Sequence, residues 1–200
     1  MPLVKPTVWT VRRKWLGNLI PALFWLPLTV IGIVLMVRSG EIVGLGLGVL
    51  IAATVVAWLA VNFFGLFENA KMKRQVRHIL EAKGERPAQA VFVGVATPKY
   101  SSAIDPHEDV GYLFFEPHML AFRGESNTME MYRNQVVKVR YRWNVHTLIG
   151  LGRWISVEGL SEGKPIRLLI EPREKATLLG NLLYSKKLRQ RIKRWVAEGA

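Results

Sequence analysis

The segment LGNLIPALFWLPLTVIGIVLMV, residues 16–37, contains 22 consecutive residues without a charge. A second uncharged segment of 26 residues, 42–67, follows the short turn RSGE. The apolar core of a bilayer is about 30 Å thick, and about 20 helical residues cross it. The two segments therefore predict a helical hairpin that spans a membrane, with spans at about 16–37 and 42–67.

A buried hairpin of a soluble protein and a cleaved signal peptide both fit these segments less well. A soluble protein rarely buries two such long apolar runs in tandem. A cleaved signal peptide is shorter, ends at a small-x-small site and does not usually contain residues such as Pro21 and Pro27. Neither run contains an acidic, basic or histidine residue, whereas proton relays and ion pathways need such groups within the membrane. We interpret the hairpin as an anchor.

The flanks of the hairpin predict its orientation. Arg12, Arg13 and Lys14 precede the first span, and four more basic residues lie between positions 71 and 77. The connecting turn has only Arg38, close to Glu41. Because basic residues are enriched in cytoplasmic flanks, both termini are expected in the cytoplasm.

Small residues line one face of the second predicted span. Gly44, Gly48 and Ala52 recur every four residues, and small side chains let helix backbones approach closely. We expect this face to pack the two spans together, with homo-oligomerisation through the same face as the alternative.

The spacing of apolar residues changes after the hairpin. Residues 68–87 predict a basic juxtamembrane helix and linker, and residues 88–200 a separate domain. Seven short segments rich in β-branched and aromatic residues predict strands at 90–97, 110–116, 119–124, 128–133, 136–143, 153–159 and 165–171. Pro172 is expected to begin a long helix, because proline is tolerated in the first helical turn.

Alternation within the fifth segment indicates a half-buried strand. Its apolar positions are Val137, Val139, Tyr141 and Trp143. Its basic positions are Lys138, Arg140 and Arg142. The three basic residues form a stripe on the outer face, where an acidic partner or phosphate could bind; the alternative is a solvated sheet face.

The stretch GYLFFEPHMLAF, residues 111–122, resembles the second-to-third strand hairpin of bacterial membrane-anchored proteins with a pleckstrin-homology-like or GRAM-like domain. Seven strands and one final helix are also the element order of that superfold. The resemblance implies a partly open barrel capped by the helix, on the cytoplasmic side of a bacterial inner membrane. Phosphoinositide-headgroup binding does not carry over, because the first loop has Lys99 against Asp105, Glu108 and Asp109.

Taken together, these patterns predict an α+β membrane protein with three parts. Residues 1–67 form a basic tail and two-helix transmembrane hairpin, 68–87 a juxtamembrane helix and linker, and 88–200 a seven-stranded antiparallel, pleckstrin-homology-like barrel with a long C-terminal helix.

The excess positive charge lies outside the predicted barrel. The chain has a formal net charge of +13, yet residues 88–171 carry nine basic and nine acidic residues. The stretch KKLRQRIKRW, 186–195, concentrates the excess in the last helix. On a helical projection its cations occupy one arc, and Tyr184, Leu188, Ile192, Trp195 and Val196 occupy the other. The expected contacts with a membrane surface or partner are Lys186, Lys187, Arg189, Arg191, Lys193, Arg194 and Trp195.

Two uses of this amphipathic helix are compatible with the sequence. Its cations are attracted by anionic phospholipid, and the hairpin raises the local concentration of that surface. Alternatively, the apolar arc covers the barrel while the charges face water. Nucleic acid is not expected as a partner, because the domain lacks the aromatic and basic surface of the usual modules.

The remaining motifs do not predict a catalytic or metal-binding site. The loop DPHED offers Asp105, His107 and Asp109, but no spacing completes a metal site. Ser101 and Ser102 have no evident base. Without cysteine, thiol catalysis and disulfides are excluded. We therefore expect a non-enzymatic adaptor or regulatory protein without metal or cofactor; the alternative is an accessory subunit that docks through the glycine-lined hairpin.

Overall fold

The structure is a computed structural model and describes residues 7–98, 107–143, 147, 150 and 152–198. The main α-helices within these residues are α1 (Val11–Ser39), α2 (Leu45–Phe64), α3 (Asn69–Ala82) and α4 (Leu178–Ala197). The strands are β1 (Val91–Ala96), β2 (Asp109–Phe115), β3 (Met119–Gly124), β4 (Thr128–Tyr132), β5 (Val136–Arg142), β6 (Trp154–Ser161) and β7 (Lys164–Pro172). The predicted α+β class is confirmed, with N-terminal helices, a seven-stranded antiparallel sheet and a C-terminal helix. The final helix does not begin at Pro172 as predicted, because Pro172 is the last residue of β7 and Thr177 caps the helix.

Helices α1 and α2 form the hairpin that the uncharged segments predict. The side chain of Thr10 caps α1 by accepting a hydrogen bond from the Arg13 N–H, and Gly40 ends the helix with φ at 68°, a conformation that favours glycine. The apolar windows in α1 and in the helical region from Leu45 have mean hydropathies of 2.4 and 2.2 and are only 11% and 17% buried. Both helices are long and apolar enough to cross a membrane.

Glycine and alanine lie at the contact between α1 and α2. Gly32 and Gly46 face each other so closely that a Cβ on Gly46 would lie 2.9 Å from the Gly32 carbonyl oxygen. Ala53 and Ala60 are buried further along α2. Positions 46, 53 and 60 repeat every seven residues, which is nearly two helical turns and keeps them on one face.

The predicted small-residue face lies on the other side of α2. Gly44, Gly48 and Ala52 are exposed, and a Cβ built on Gly48 meets no atom within 4 Å. At about 100° per residue, these positions lie about 160° to 240° away from Gly46. They do not form the contact between the two spans that was expected for them.

The sheet has the strand order β4-β3-β2-β1-β7-β6-β5, and all its pairs are antiparallel. Strand β1 is paired on both edges, with Phe92 opposite Tyr112 and Gly94 opposite Glu171. Every residue of β1 is buried, which agrees with its continuous apolar sequence VFVGVA, since a strand covered on both faces does not alternate.

One face of β1 contributes to the main core. Val91, Val93 and Val95 belong to an apolar cluster that includes Leu188, Ile192 and Trp195 of α4. The C-terminal helix therefore closes the inner face of the sheet, and its burial stabilises the domain roughly in proportion to the apolar area removed from water.

The opposite face of β1 contributes to a second core. Phe92, Val110 and Tyr112 pack against Met72, Val76 and Leu80 of α3 and against Val8 and Trp9. The Tyr112 hydroxyl also donates a hydrogen bond to the Lys73 carbonyl at 3.0 Å. Helix α3 lies within residues 68–87, where a helix and linker were predicted, and it packs on the sheet together with the segment before α1.

Candidate functional site

Helix α4 presents two distinct faces. Its buried residues are Asn181, Ser185, Leu188, Ile192 and Trp195. The exposed side chains that form its outer face are Leu179, Leu183, Lys186, Lys187, Gln190, Lys193 and Arg194. At about 100° per residue, these two sets fall on opposite sides of the helix. The outer face is apolar near its start and basic towards its end, and α4 contains no acidic residue.

Four of the six cations expected at the contact surface are on the accessible side of α4. Lys186, Lys187, Lys193 and Arg194 are exposed, whereas Arg189 and Arg191 are half-buried. The Arg189 guanidinium lies 4.5 Å from the Tyr141 ring centroid. Arg191 lies 4.1 Å from the Phe115 ring centroid and donates a hydrogen bond to the Gln89 carbonyl at 3.2 Å. These two arginines pack α4 on the sheet through cation–π contacts.

Trp195 lies in the main core and not on the contact surface that the sequence predicted for it. Its side chain is 5% exposed, and its indole N–H donates a hydrogen bond to the Glu116 carbonyl at 2.7 Å. The Arg133 guanidinium lies 4.7 Å from its ring centroid. The projection grouped Trp195 correctly with the apolar arc, and it is this arc that covers the sheet.

The first turn of α4 contacts the end of α2. The Asn62 carboxamide oxygen accepts a hydrogen bond from the Leu179 N–H at 2.8 Å, and Asn62 is buried. A Cβ on Gly65 would lie 2.8 Å from a Leu178 methyl group. The outer face of α4 therefore begins beside the end of the second apolar helix. A polar residue near the end of an apolar run is the only sequence signal for this contact.

Residues 7–9, here called the N-terminal strap, bind to the sheet through Glu125. The Glu125 carboxylate accepts hydrogen bonds from the Thr7, Val8 and Trp9 N–H groups and from the Thr7 hydroxyl. Burial acts to raise the pKa of Glu125, but these hydrogen bonds outweigh it and hold the pKa below its ordinary value. The strap thus joins the start of α1 to the β3–β4 turn.

A second set of polar contacts joins α1 to the start of α3. Arg13 forms an ion pair with Glu68 at 2.8 Å and hydrogen bonds with the Val8 carbonyl and Gln75. Hydrogen bonds from Lys71 and Arg13 lower the pKa of Glu68. A basic residue that flanks the first span, which the sequence assigned to topology alone, therefore also holds the hairpin to the domain.

Two residues of the DPHED loop that the structure describes, His107 and Asp109, have structural partners. Asp109 is buried and accepts hydrogen bonds from the Ser126 and Asn127 N–H groups; burial raises its pKa despite these bonds. His107 lies 3.0 Å from the Glu171 carboxylate. In the part of the chain that the structure describes, no three metal-ligating side chains are grouped. Asp105, Ser101 and Ser102 lie outside the described residues.

The stripe on β5 is exposed as the alternation predicts. Lys138, Arg140 and Arg142 all face outward, and Arg140 forms an ion pair with Glu158 at 2.9 Å. Val137 and Trp143, which the alternation placed inside, are 69% and 70% exposed. The pairing with β6 shifts between Val136 and Lys138, and this bulge displaces Val137 from the buried face.

In comparison with known proteins, the chain matches no protein-family model, and no curated protein matches its sequence. The geometry of α4, the hairpin and the sheet therefore carries the functional conclusion.

Proposed function

We propose that the protein is a non-enzymatic adaptor or regulatory protein, anchored in a bacterial inner membrane by α1 and α2 with both termini in the cytoplasm. Its sheet and α4 form a pleckstrin-homology-like domain that binds the anionic membrane surface and protein partners. The strand order, with β1 between β2 and β7 and a final helix over the inner face, supports this fold.

The proposed orientation is supported by contacts at one end of the hairpin. The N-terminal strap packs on the same sheet as α3, so the start of α1 and the domain lie at the same end. The basic residues Arg12, Arg13 and Lys14 and those of α3 are also at that end. This distribution favours a cytoplasmic location for the domain and both termini.

One observation carries the proposed lipid contact: the outer face of α4 begins beside the end of α2 and continues as four exposed cations. Leu179 and Leu183 are 36% and 69% exposed at its start, where an apolar side chain can enter the interface between headgroups. Each basic residue near an anionic surface contributes about 1 kcal/mol. Helix α4 would then lie along the membrane with its outer face towards the headgroups.

Energy transfer from α4 to labelled lipid headgroups tests this contact. The chain has no cysteine, so Gln190→Cys provides one attachment site at the middle of the outer face. In full-length protein reconstituted into bilayers, we expect stronger transfer with phosphatidylglycerol present than in neutral phosphatidylcholine. This difference in energy transfer between anionic and neutral bilayers should decrease as added salt shortens the Debye length, which is about 10 Å at 0.1 M.

Two double variants with equal changes of charge provide the comparison. Lys186→Glu with Lys187→Glu should abolish the effect of anionic lipid, because both positions are on the outer face. Lys138→Glu with Arg142→Glu should preserve it, because these residues lie on β5. Equal transfer in neutral and anionic bilayers would show that the outer face contacts only water and would refute the proposed lipid contact.

A second function is favoured by the exposed small-residue face of α2. Gly44, Gly48 and Ala52 leave this side of the hairpin open to close approach by another transmembrane helix. The protein would then act as an accessory subunit of a larger membrane complex or self-associate. Mass measurement of the native protein and of Gly48→Leu in detergent tests this role; an assembled species that is lost in the variant supports it, and a monomer in both cases refutes it.

A further inference from the structure

A groove of about 390 Å³ runs between β5 and α4. Four cations line it, namely Lys138 and Arg140 from β5 and Arg189 and Lys193 from α4. Its remaining lining is valine, from β5 and from Val196, and no acidic side chain among the described residues lines it. We refer to it as the basic groove. Its valines and cations together complement a ligand that carries both apolar groups and negative charge.

One donor in the basic groove has no acceptor. The Arg189 Nε is buried and has no hydrogen-bond partner among the residues that the structure describes. Its guanidinium is held over the Tyr141 ring, with 4.5 Å between the guanidinium carbon and the ring centroid. Buried donors are nearly always paired in folded proteins, and an unpaired one destabilises by about 1–3 kcal/mol. Arg189 as a whole is only half-buried, so its positive charge remains within reach of an acidic ligand in the basic groove.

The basic groove also contains a free strand edge. The sheet ends at β5, which pairs only with β6 among the described strands. An edge strand offers unpaired backbone N–H and C=O groups to an incoming strand. Val137 is 69% exposed at this edge and can contact an apolar side chain of the added strand. Strand addition draws its affinity from the backbone and its specificity from alternating side chains.

We infer that the basic groove binds an extended acidic segment of a partner protein, which adds to the edge of β5. In an added strand that alternates, the carboxylates would lie on the side of α4 and contact Arg189 and Lys193. The apolar side chains would lie on the opposite side and contact Val137 and the alkyl chain of Lys138. Arg140 contributes less, because Glu158 already pairs with it. This inference rests on the proposed adaptor role and names the chemistry of the partner. Lys193 also belongs to the outer face, but the other residues of the basic groove take no part in the proposed lipid contact.

A peptide of alternating glutamate and valine, eight residues long and labelled with fluorescein, serves as the probe. The full-length protein is held in micelles of an uncharged detergent, so that failure of the lipid contact cannot affect the result. Fluorescence anisotropy should show saturable binding. Replacing every glutamate by glutamine should weaken binding about tenfold or more, which corresponds to about 1.4 kcal/mol. N-methylation of alternate amides should abolish it, because those amides can no longer pair with β5.

The variants separate the basic groove from general charge attraction. Lys138→Glu with Lys193→Glu should weaken peptide binding about tenfold. Lys186→Glu with Lys187→Glu changes the charge equally on the outer face, and at about 0.15 M salt it should change binding less than about twofold because of screening. Thermal unfolding of each variant provides the check that it remains folded.

Four results would overturn the inference. No saturable binding would show that the basic groove accepts no such segment. Equal weakening by both double variants would show unspecific attraction, and unchanged binding of the N-methylated peptide would exclude strand addition. Displacement of the peptide by a short-chain phosphatidylglycerol, at concentrations where the glutamine peptide has no effect, would assign the basic groove to lipid.

Discussion

Two tryptophans near the ends of β5 and α4 have opposite environments, and replacing each by alanine tests the placement of α4. Trp195 is 5% exposed in the main core, whereas Trp143 is 70% exposed. Both substitutions remove the same side chain. Any large difference in stability between them must therefore come from what each ring contacts.

The structure predicts the size of this difference. Trp195→Ala removes a ring packed with Leu188 and Ile192 and leaves a cavity, a change that destabilises by about 3–5 kcal/mol. It also removes the donor to the Glu116 carbonyl at 2.7 Å. We expect the free energy of unfolding to fall by about 4 kcal/mol, or almost a thousandfold in the folding equilibrium. Trp143→Ala should change it by less than about 0.5 kcal/mol.

The measurement is denaturant unfolding of the full-length protein in an uncharged detergent, followed by far-UV circular dichroism. Both variants are compared with the native protein at the same detergent concentration. Stability of Trp195→Ala within about 0.5 kcal/mol of the native value would refute the buried position of this ring. It would return Trp195 to the surface, as the sequence predicted. A loss in Trp143→Ala as large as that in Trp195→Ala would refute the outward position of the end of β5.

Three further predictions concern the hairpin and its contacts with the domain. Gly46→Leu should separate α1 from α2 and destabilise the hairpin by about 1–3 kcal/mol. Gly48→Leu should leave the stability of the hairpin unchanged, because no atom lies near that position. Thermal unfolding in detergent measures the stability of both variants. Glu125→Gln should destabilise by about 2 kcal/mol by weakening the bonds to the strap. The pKa of Glu125 in the folded protein lies below its ordinary value of 4.5. The stability that its carboxylate contributes is therefore present above pH 4.5 and is lost as the pH falls through the folded pKa. Unfolding measured as a function of pH should show this loss in the native protein and not in Glu125→Gln. Asn62→Leu removes the acceptor of the Leu179 N–H and should accelerate hydrogen exchange at that amide about fivefold. Mass spectrometry measures the exchange, and an unchanged rate would contradict the contact between Asn62 and Leu179.

The sequence carried enough information to predict the classes and order of the elements. Uncharged length identifies α1 and α2, and β-branched and aromatic runs identify all seven strands. These signals are local, because each depends on the composition of a few neighbouring residues. The face of α2 that contacts α1 was not predictable in the same way. Both Gly44 and Gly46 begin a row of small residues, and only the position of α1 determines which row is buried.

The strand β5 shows where alternation fails. Val139 is buried and Tyr141 half-buried, as the period of two requires, whereas Val137 and Trp143 are exposed. The bulge after Val136 and the end of the strand at Arg142 account for these two exceptions. An edge strand has one neighbour, so its ends are less constrained than those of β1. Local pattern therefore predicts the middle of an edge strand better than its ends.

The contacts that join the hairpin to the domain were not predictable from sequence patterns. Glu125 and the N-terminal strap are more than 100 positions apart, and neither belongs to a motif. Asn62 and Leu179 are 117 positions apart. Such pairs form because the hairpin returns the chain to the side where it began, which brings the start of α1 and the end of α2 beside the same sheet. The same geometry supports the proposed role of the outer face of α4. An amphipathic pattern specifies which side of α4 is buried. The contacts of Asn62 with Leu179 and of Gly65 with Leu178 place the start of its outer face beside the end of α2, which is where the proposed function requires attraction between cations and anionic headgroups.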